Sequence, residues 1–370
     1  MKIDDKTSHN SPSLRFPEFT GEWEKCKIED ITDAVSSGKS KNHFSNGEYN
    51  LYGSTGIIGR TDKALYDGKL VLVARVGANA GFLQIINEPC GITDNTLILK
   101  PKGIDAFYLY YFLQHFNLNR LIFGSGQPLI TGGMLKKVKV SLGTISEQSK
   151  IVKFLSLLDE RIAVQSRLIE DLKKLRCAIV EKMFKQSKAN GRLGDFIEQV
   201  SVRNKNGLYS NVLSVSNKQG FVKQSEQFED RTVASEDTSN YKIVKRNNFA
   251  YNPARINVGS IARLTKFGVG IVSPMYVCFR TKDGIIPEYM EAFFTSQQFF
   301  YEMMKRLEGS VRLCLSYEGL CNIPVYIPDM NKQIAMGQNI SLILSKIGLE
   351  IEYLGRLHQQ KQYLLRKMFI

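Results

Sequence analysis

The chain has 370 residues, 43% of them hydrophobic and 23% charged, which fits a globular protein of two or three domains and excludes a disordered or collagen-like chain. Lys and Arg number 50 against 36 Asp and Glu, so the net charge of +14 points to a polyanionic partner, either nucleic acid or an anionic membrane face. No uninterrupted apolar run approaches the roughly 18 residues that a membrane-spanning helix needs.

In chain order, residues 1–14 read as a flexible N-terminal tail. They lack the apolar core of a signal peptide, so a cytoplasmic protein with reduced cysteines is expected. Residues 15–142 read as a mixed, mainly β front, with short runs such as Lys69-Leu70-Val71-Leu72-Val73-Ala74 and Asn95-Thr96-Leu97-Ile98-Leu99. Residues 105–116 form an aromatic-rich helix whose Tyr and Phe, at helical spacing, are expected in the core rather than as base-stacking platforms. Residues 143–188 follow as one long helix. Positions 147–186 contain no proline or glycine and would reach about 60 Å. Its apolar stripe is Ile151, Leu155, Leu158, Ile162, Ile169, Leu172, Ile179 and Met183. Residues 189–327 form a second front, with strands at 249–251 and 276–279 and an aromatic helix over 287–300. Residues 328–370 form a second long helix, with a stripe of Ile340, Ile343, Ile347, Ile351, Leu354, Leu365 and Met368. Gly337, Gly348 and Gly355 weaken its helix propensity.

The chain repeats itself. A shift of 185 residues places Lys182-Met183-Phe184 on Lys367-Met368-Phe369, Gln148 on Gln333, and Gly124-Ser125 on Gly309-Ser310. From Gly124 to Phe184, twelve of 61 positions are identical. Random pairing gives roughly three or four, so chance does not explain the match. Upstream the halves match only with gaps; Val73-Ala74-Arg75 aligns loosely with Asn252, Ala254 and Arg255. Divergent fronts with similar backs predict two units of the same kind with different targets. The two helices are expected to oppose each other as an antiparallel coiled coil about a pseudo-twofold axis.

Catalytic motifs are scarce. The six cysteines (26, 90, 177, 278, 314 and 321) form no C-x-x-C pair, and only four histidines exist, so a metal site is not expected. Gly38-Lys39-Ser40 resembles the end of a nucleotide-binding loop, but Asp33 stands where its first glycine belongs. Asn252-Pro253-Ala254-Arg255 lacks the second proline and the aromatic residue of an amino-methyltransferase loop. Spacing alone leaves Ser-His-Asp or Cys-His catalysis open, yet nothing local marks a nucleophile.

The basic surplus is spread: +3 in residues 1–142, +4 in 143–188, +4 in 189–327 and +3 in 328–370. That fits a large folded surface against a duplex better than a polybasic tail against a membrane. Several polar loops carry residue types suited to DNA. Lys39, Ser40 and Lys41 lie in one, and its place recurs in the second half with Arg203, Lys205 and Asn206. Tyr52, Ser54, Thr55 and Arg60 belong to a glycine-rich loop. Arg75 and Asn79 follow a strand, as do Arg255, Asn257 and Ser260. Arg can contact guanine and Asn adenine in a bidentate manner, whereas Lys and Ser suit phosphates.

Taken together these features resemble the specificity (S) subunit of type I restriction-modification enzymes. The resemblance is carried by Leu14-Arg15-Phe16-Pro17-Glu18-Phe19-Thr20-Gly21-Glu22-Trp23, the Tyr52–Arg60 loop, Val73-Ala74-Arg75-Val76-Gly77, Thr93-Asp94-Asn95-Thr96 and the two copies of the long helix. The second front departs from it, lacking a clear glycine loop and having Ser273-Pro274 where the first has Asp94-Asn95. The resemblance implies an α+β fold: two target recognition domains (15–142 and 189–327) separated by two long antiparallel coiled-coil helices (143–188 and 328–370). Each domain would read one half of a split double-stranded DNA site. The helices would set the gap and dock two methyltransferase subunits, with motor-nuclease subunits joining that core. S-adenosylmethionine, ATP and magnesium would belong to those partners, and this chain would be non-catalytic. The alternative is a solitary nucleic-acid-binding adaptor without a methyltransferase.

Overall fold

A computed structural model describes residues 10–41, 46–122, 128–185, 188–217, 219–227 and 237–370. Gly124-Ser125 of the repeat and Asn42 of the first basic loop lie outside the described residues. The chain divides into one unit of Met1–Ser166 with Glu352–Ile370 and a second of Arg167–Ile351. Each is α+β.

In the first unit an antiparallel sheet has the order Thr32–Ser37, Thr96–Pro101, Lys69–Ala74, Leu83–Asn87. Residues 70–74 are all buried because both faces of this strand are covered. Side chains alternate faces along a strand, so Val71 and Val73 join Leu97 and Leu99 in a core with Tyr108, Leu109 and Phe112 of the helix Ala106–Phe116. Leu70, Leu72 and Ile98 pack the other way, with Cys90 and Ile92 of a small sheet built from Gly56–Thr61, Tyr49–Gly53 and Cys90–Ile92. A strand covered on both faces reads as a continuous apolar run, and this one does. The helix starts where Asp105 accepts a hydrogen bond from the Phe107 amide at 2.7 Å, and it stops at Asn117, whose φ of 57° is left-handed.

The second unit repeats this plan. Its first sheet runs Ile197–Gln199, Val277–Thr281, Phe249–Tyr251, Ile261–Arg263, again antiparallel throughout. Its other sheet runs Gly220–Lys223, Val212–Ser216, Val269–Val272, Lys242–Lys245. In both units the small sheet contains one parallel pair, Tyr49–Gly53 with Cys90–Ile92 and Val212–Ser216 with Val269–Val272. An isolated bridge from Tyr66 to Cys90 in the first unit stands where Lys242–Lys245 stands in the second. The aromatic segment over 287–300 is two helices, Pro287–Phe294 and Gln297–Met304, because Ser296 caps the second by accepting from the Phe299 amide at 3.1 Å. Tyr289, Phe293 and Phe299 are buried core residues, as Tyr108, Tyr111 and Phe112 are in the first unit.

The long helices are Ile145–Lys185 and Met330–Met368. Residues 145–166 and 352–368 belong to the first unit and oppose each other there. Asp159 pairs with Lys361 at 2.6 Å, and the Arg161 guanidinium lies over the Tyr353 ring at 5.4 Å, so one number rises as the other falls. Gly337 does not break its helix. A Cβ there would come within 2.8 Å of the Glu288 Cβ, so glycine permits the close approach to Pro287–Phe294. Ile351 is a correction to the predicted stripe: it is 50% exposed, and the half-buried Tyr353 packs against the first unit's core instead. The predicted tail also ends earlier than residue 14. The Leu14 amide donates to the Lys367 carbonyl at 2.9 Å, and the Asn10 side chain donates to the Trp23 carbonyl.

The helix starts are fastened alike. Gln148 donates to the Gly143 carbonyl at 2.9 Å, and Gln333 to the Pro328 carbonyl at 2.9 Å, which explains a glutamine at this place in both copies. Only the first start has a buried acid. Glu147 accepts from Arg15 through both carboxylate oxygens, at 2.7 and 2.8 Å, and from the Trp23 indole at 3.1 Å. The helix ends are plugged alike as well. Phe369 lies 5.2 Å from Tyr108 and 6.3 Å from Phe112, between ring centroids. Phe184 lies 5.3 Å from Tyr289 and 5.2 Å from Phe293. Each plug is almost fully buried, so truncation should cost about 3–5 kcal/mol. Phe369→Ala should speed amide hydrogen exchange in strand Lys69–Ala74 and spare Phe249–Tyr251, and Phe184→Ala should do the reverse. Equal loss of protection in both strands for either variant would contradict this assignment.

Candidate nucleic-acid interface

In the first unit four chain segments meet at one end of the four-stranded sheet. Strand Thr32–Ser37 ends there, Lys69–Ala74 ends there, and Leu83–Asn87 and Thr96–Pro101 begin there. The hairpin Tyr49–Gly53/Gly56–Thr61 reaches the same place, because Thr93 donates to the Tyr52 carbonyl at 3.0 Å. One acceptor ties the segments together: the Asn95 carbonyl takes a hydrogen bond from the Arg75 amide at 2.9 Å and from the Ser54 hydroxyl at 3.2 Å. Ser54, Thr55, Arg75 and Asn79 therefore belong to one cluster, with Thr55 and Asn79 exposed. Arg75 is half-buried, and its Nε has no hydrogen-bond partner among the described residues.

A second cluster is basic. Lys39, Lys41, Thr61, Asp62 and Lys63 line a groove of about 270 Å³. Lys39 and Lys41 are exposed on either side of Ser40. Ser40 itself is 7% exposed; its amide donates to the Ile92 carbonyl at 2.9 Å, and its hydroxyl accepts from the Ile92 amide at 3.0 Å. It holds the loop to the small sheet while also lining the groove between the two lysines. Tyr52 is likewise held inward. Its hydroxyl donates to Glu88 at 2.6 Å, and burial followed by that bond raises its pKa. The hydrogen bonds from Asn50 and Tyr52 hold the Glu88 carboxyl below the usual carboxylate range. Arg60 is exposed but lies at the far end of the hairpin, where it donates to the Glu48 carbonyl at 3.2 Å.

The second unit assembles equivalent loops with different residues. Lys205 and Asn206 are exposed in a turn closed by the Gly207 amide on the Asn204 carbonyl at 3.0 Å. Arg203 is exposed and donates to the Asn240 side chain at 3.1 Å. The Asn204 side chain is buried and holds Tyr209 within the same loop. Arg255 is exposed and Asn257 half-buried. Ser260 is 4% exposed and donates to the Val215 carbonyl at 3.1 Å, so it fastens its loop to the neighbouring hairpin strand and is not a surface contact.

Strand register corrects the predicted match between the halves. Lys102 donates to the Ile31 carbonyl at 2.8 Å, and Lys282 donates to the Phe196 carbonyl at 2.9 Å. Ile130 donates to the Arg75 carbonyl at 2.9 Å, and Leu315 to the Pro253 carbonyl at 3.1 Å. Arg75 thus stands where Pro253 stands, and Arg255 falls two residues later. The turn at 273–276 matches 93–96, since both close with an amide on a carbonyl three residues back, which puts Ser273-Pro274 on Thr93-Asp94. The second hairpin does exist, as Val212–Ser216/Gly220–Lys223, with Gly220 at φ 67°. Its turn is longer and has no second glycine to mark it. Lys63, Asn217 and Gln219 line clefts beside these loops, and Asn95 ties them together; none of the four was among the candidate residues read from the sequence. Only Asn95 had a signal, its place in Thr93-Asp94-Asn95-Thr96.

Among the described residues no group of three or more His, Cys, Asp or Glu side chains could hold a metal ion, and no helix is long and apolar enough to cross a membrane.

Residues 20–174 match the family model described as type I restriction modification DNA specificity domain. Beyond it the chain resembles specificity subunits of type I systems. It is 28% identical over 176 residues to a putative type I specificity subunit from Mycoplasma genitalium, covering 45% of this chain and 46% of that protein. Over 112 residues it is 28% identical to the type I restriction enzyme EcoprrI specificity subunit from Escherichia coli, covering 30% of this chain and 28% of that one. The chain thus spans less than half the length of these curated relatives. The fold is similar over nearly all of it to the crystal structure of the type I restriction-modification S subunit from M. genitalium, with TM-score 0.65, 20% identity, and 97% and 99% of the two chains covered. A structure described as the basis of complex assembly and conformational transition of the type I system matches with TM-score 0.56, 11% identity, and 95% and 98% covered.

Burial pushes the Cys90 and Cys278 thiols up to about 12, so both stay protonated and shielded near neutral pH, whereas Cys177 is exposed. Iodoacetamide at pH 8 should alkylate Cys177 and leave Cys90 and Cys278 unmodified until denaturant is added. Native modification of Cys90 or Cys278, read by peptide mass spectrometry, would show that their cores open.

Proposed function

We propose that this chain is the DNA-specificity subunit of a type I restriction-modification complex, and that each unit reads one half of a split double-stranded site. The observation that carries the reading is the pairing of one scaffold with two sets of loop residues. Strand order and the position of the hairpin are the same in both units, while the residues at the loop tips differ. Units alike in frame and unlike at the tips suit the same task on different targets. The exposed lysines support DNA as the ligand, with Lys39, Lys41 and Lys63 toward phosphates and Arg75 and Asn79, beside the hairpin tip, toward bases. In the second unit Arg203, Lys205, Asn206, Arg255 and Asn257 take these parts.

The partners belong to the same proposal: two methyltransferase subunits, and motor-nuclease subunits that join them. Leu157 and Val164 are exposed on the first helix, at 56% and 64%. Their repeat mates Leu342 and Leu349 are exposed on the second, at 69% and 64%. Exposed apolar residues related by the repeat support two copies of one partner, each on an equivalent patch. S-adenosylmethionine, ATP and magnesium are assigned to those partners, and the complex to the cytoplasm. The chain itself is non-catalytic in this reading. The helices set the gap between half-sites.

Replacing residues 15–142 with the first front of another specificity subunit should change one half-site and leave the other intact, as read by mapping methylated adenines in cells that make the complex. A hybrid that altered both half-sites, or neither, would overturn the modular reading. Lys39→Ala and Lys41→Ala should each lower the slope of log K against log salt by about one, equally on all sequences. Arg75→Ala should instead cost about 1–3 kcal/mol at one position of one half-site, in competition binding against singly substituted duplexes.

A further inference from the structure

We infer that Gln84 is the positioning residue of the first unit's hairpin tip, and that this placement sets base discrimination in one half-site. The inference rests on the proposed DNA-reading role of that unit. Gln84 sits on strand Leu83–Asn87, opposite Leu72. Its side-chain nitrogen donates to the Gly53 carbonyl at 2.9 Å and to the Ser54 carbonyl at 3.1 Å. Both partners are acceptors, so the amide orientation is fixed: the nitrogen, with its two hydrogens, must face them. One planar group thereby holds two consecutive peptide planes.

The clamp extends to the other loop. Ser54, held through its carbonyl, donates its hydroxyl to the Asn95 carbonyl, which also accepts the Arg75 amide. Gln84 thus fixes the tip relative to the Arg75 turn. The tip needs such a clamp. Only Ser54 and Thr55 lie between the paired Gly53 and Gly56, and Gly56 has φ 134°. Two glycines leave the backbone many accessible torsions. Base reading demands placement to about 0.5 Å, which a loose tip cannot give.

The second unit shows that the clamp is not part of the shared scaffold. Ala262 pairs with Ala250 as Gln84 pairs with Leu72. Alanine has no donor to offer, and a cleft of about 450 Å³ lies there, lined by Asn217, Gln219, Ala262 and Arg263 among others. The same strand order forms without the glutamine, so its bonds serve the tip rather than the sheet.

The test uses the full chain made with its methyltransferase in cells, wild type against Gln84→Met and Gln84→Glu. Methionine keeps the length and removes the donor; glutamate keeps the shape and turns a carboxylate toward two carbonyls. Methylome mapping should show at least a tenfold rise in methylation at sites carrying a wrong base in one half-site. The other half-site should stay strict, and hydrogen-exchange protection of strand Lys69–Ala74 should be retained. If the glutamate variant fails to fold, the methionine variant decides. Unchanged discrimination in a folded variant, or equal relaxation of both half-sites, overturns the inference. Absence of any split-site pattern with the wild-type chain would instead overturn the underlying DNA-reading role, and the positioning role with it.

Discussion

The structure depends on two phenylalanines at the ends of two long helices. Phe184 and Phe369 each complete an aromatic core, the first with Tyr289 and Phe293, the second with Tyr108 and Phe112. The helix that begins in the first unit contributes its last turns to the core of the second, and the other helix does the converse. The first core is incomplete without the remote segment Glu352–Ile370, whereas the second is built from the continuous stretch Arg167–Ile351. Most helical stability in proteins comes from packing of an apolar face, so the order of these two helices owes much to what their ends bury. The repeated Lys-Met-Phe ending is therefore a packing requirement before it is a sequence signature.

The central sheet of each unit converts that packing into a presentation surface. Both faces of strand Lys69–Ala74 are buried, and it is paired on both edges, so its place is fixed by packing on two sides and by two neighbouring strands. The loops at its end inherit that fixed register. Hydrogen bonds to carbonyls, from Gln84, Ser54 and the Arg75 amide, carry the rigidity outward to the tip. The exposed charges of Lys39 and Lys41 need no such scaffold, because a charge is felt at longer range than a hydrogen bond.

The two units diverge where the frame permits it. Ile85, Phe107 and Tyr110 are partly buried against the apolar core of the first unit. At the corresponding places in the second stand Arg263, Glu288 and Glu291, an ion cluster in which the Arg263 side chain is 8% exposed. Burial raises the Glu291 pKa, while Arg263 opposes that rise. An ion cluster of this kind adds little net stability over an apolar contact, so the exchange is one that a shared fold can absorb.

The sequence by itself determined the long helices, the repeat, the apolar central strand and the core role of the aromatic residues. Each is written as a local period or a local run, and local periods survive translation into structure. Loop families were legible too, as clusters of small and basic residues. Which members face outward was not. Ser40 and Ser260 carry the same polar chemistry as exposed serines, and only their hydrogen bonds to Ile92 and Val215 turn them inward. The equivalence of Arg75 with Pro253, the second hairpin around Gly220 and the meeting of Lys63 with Lys39 depend on strand register. Register is set by pairing between segments far apart in the chain. Tertiary structure alone decides it, because no window of sequence contains both partners of such a pair.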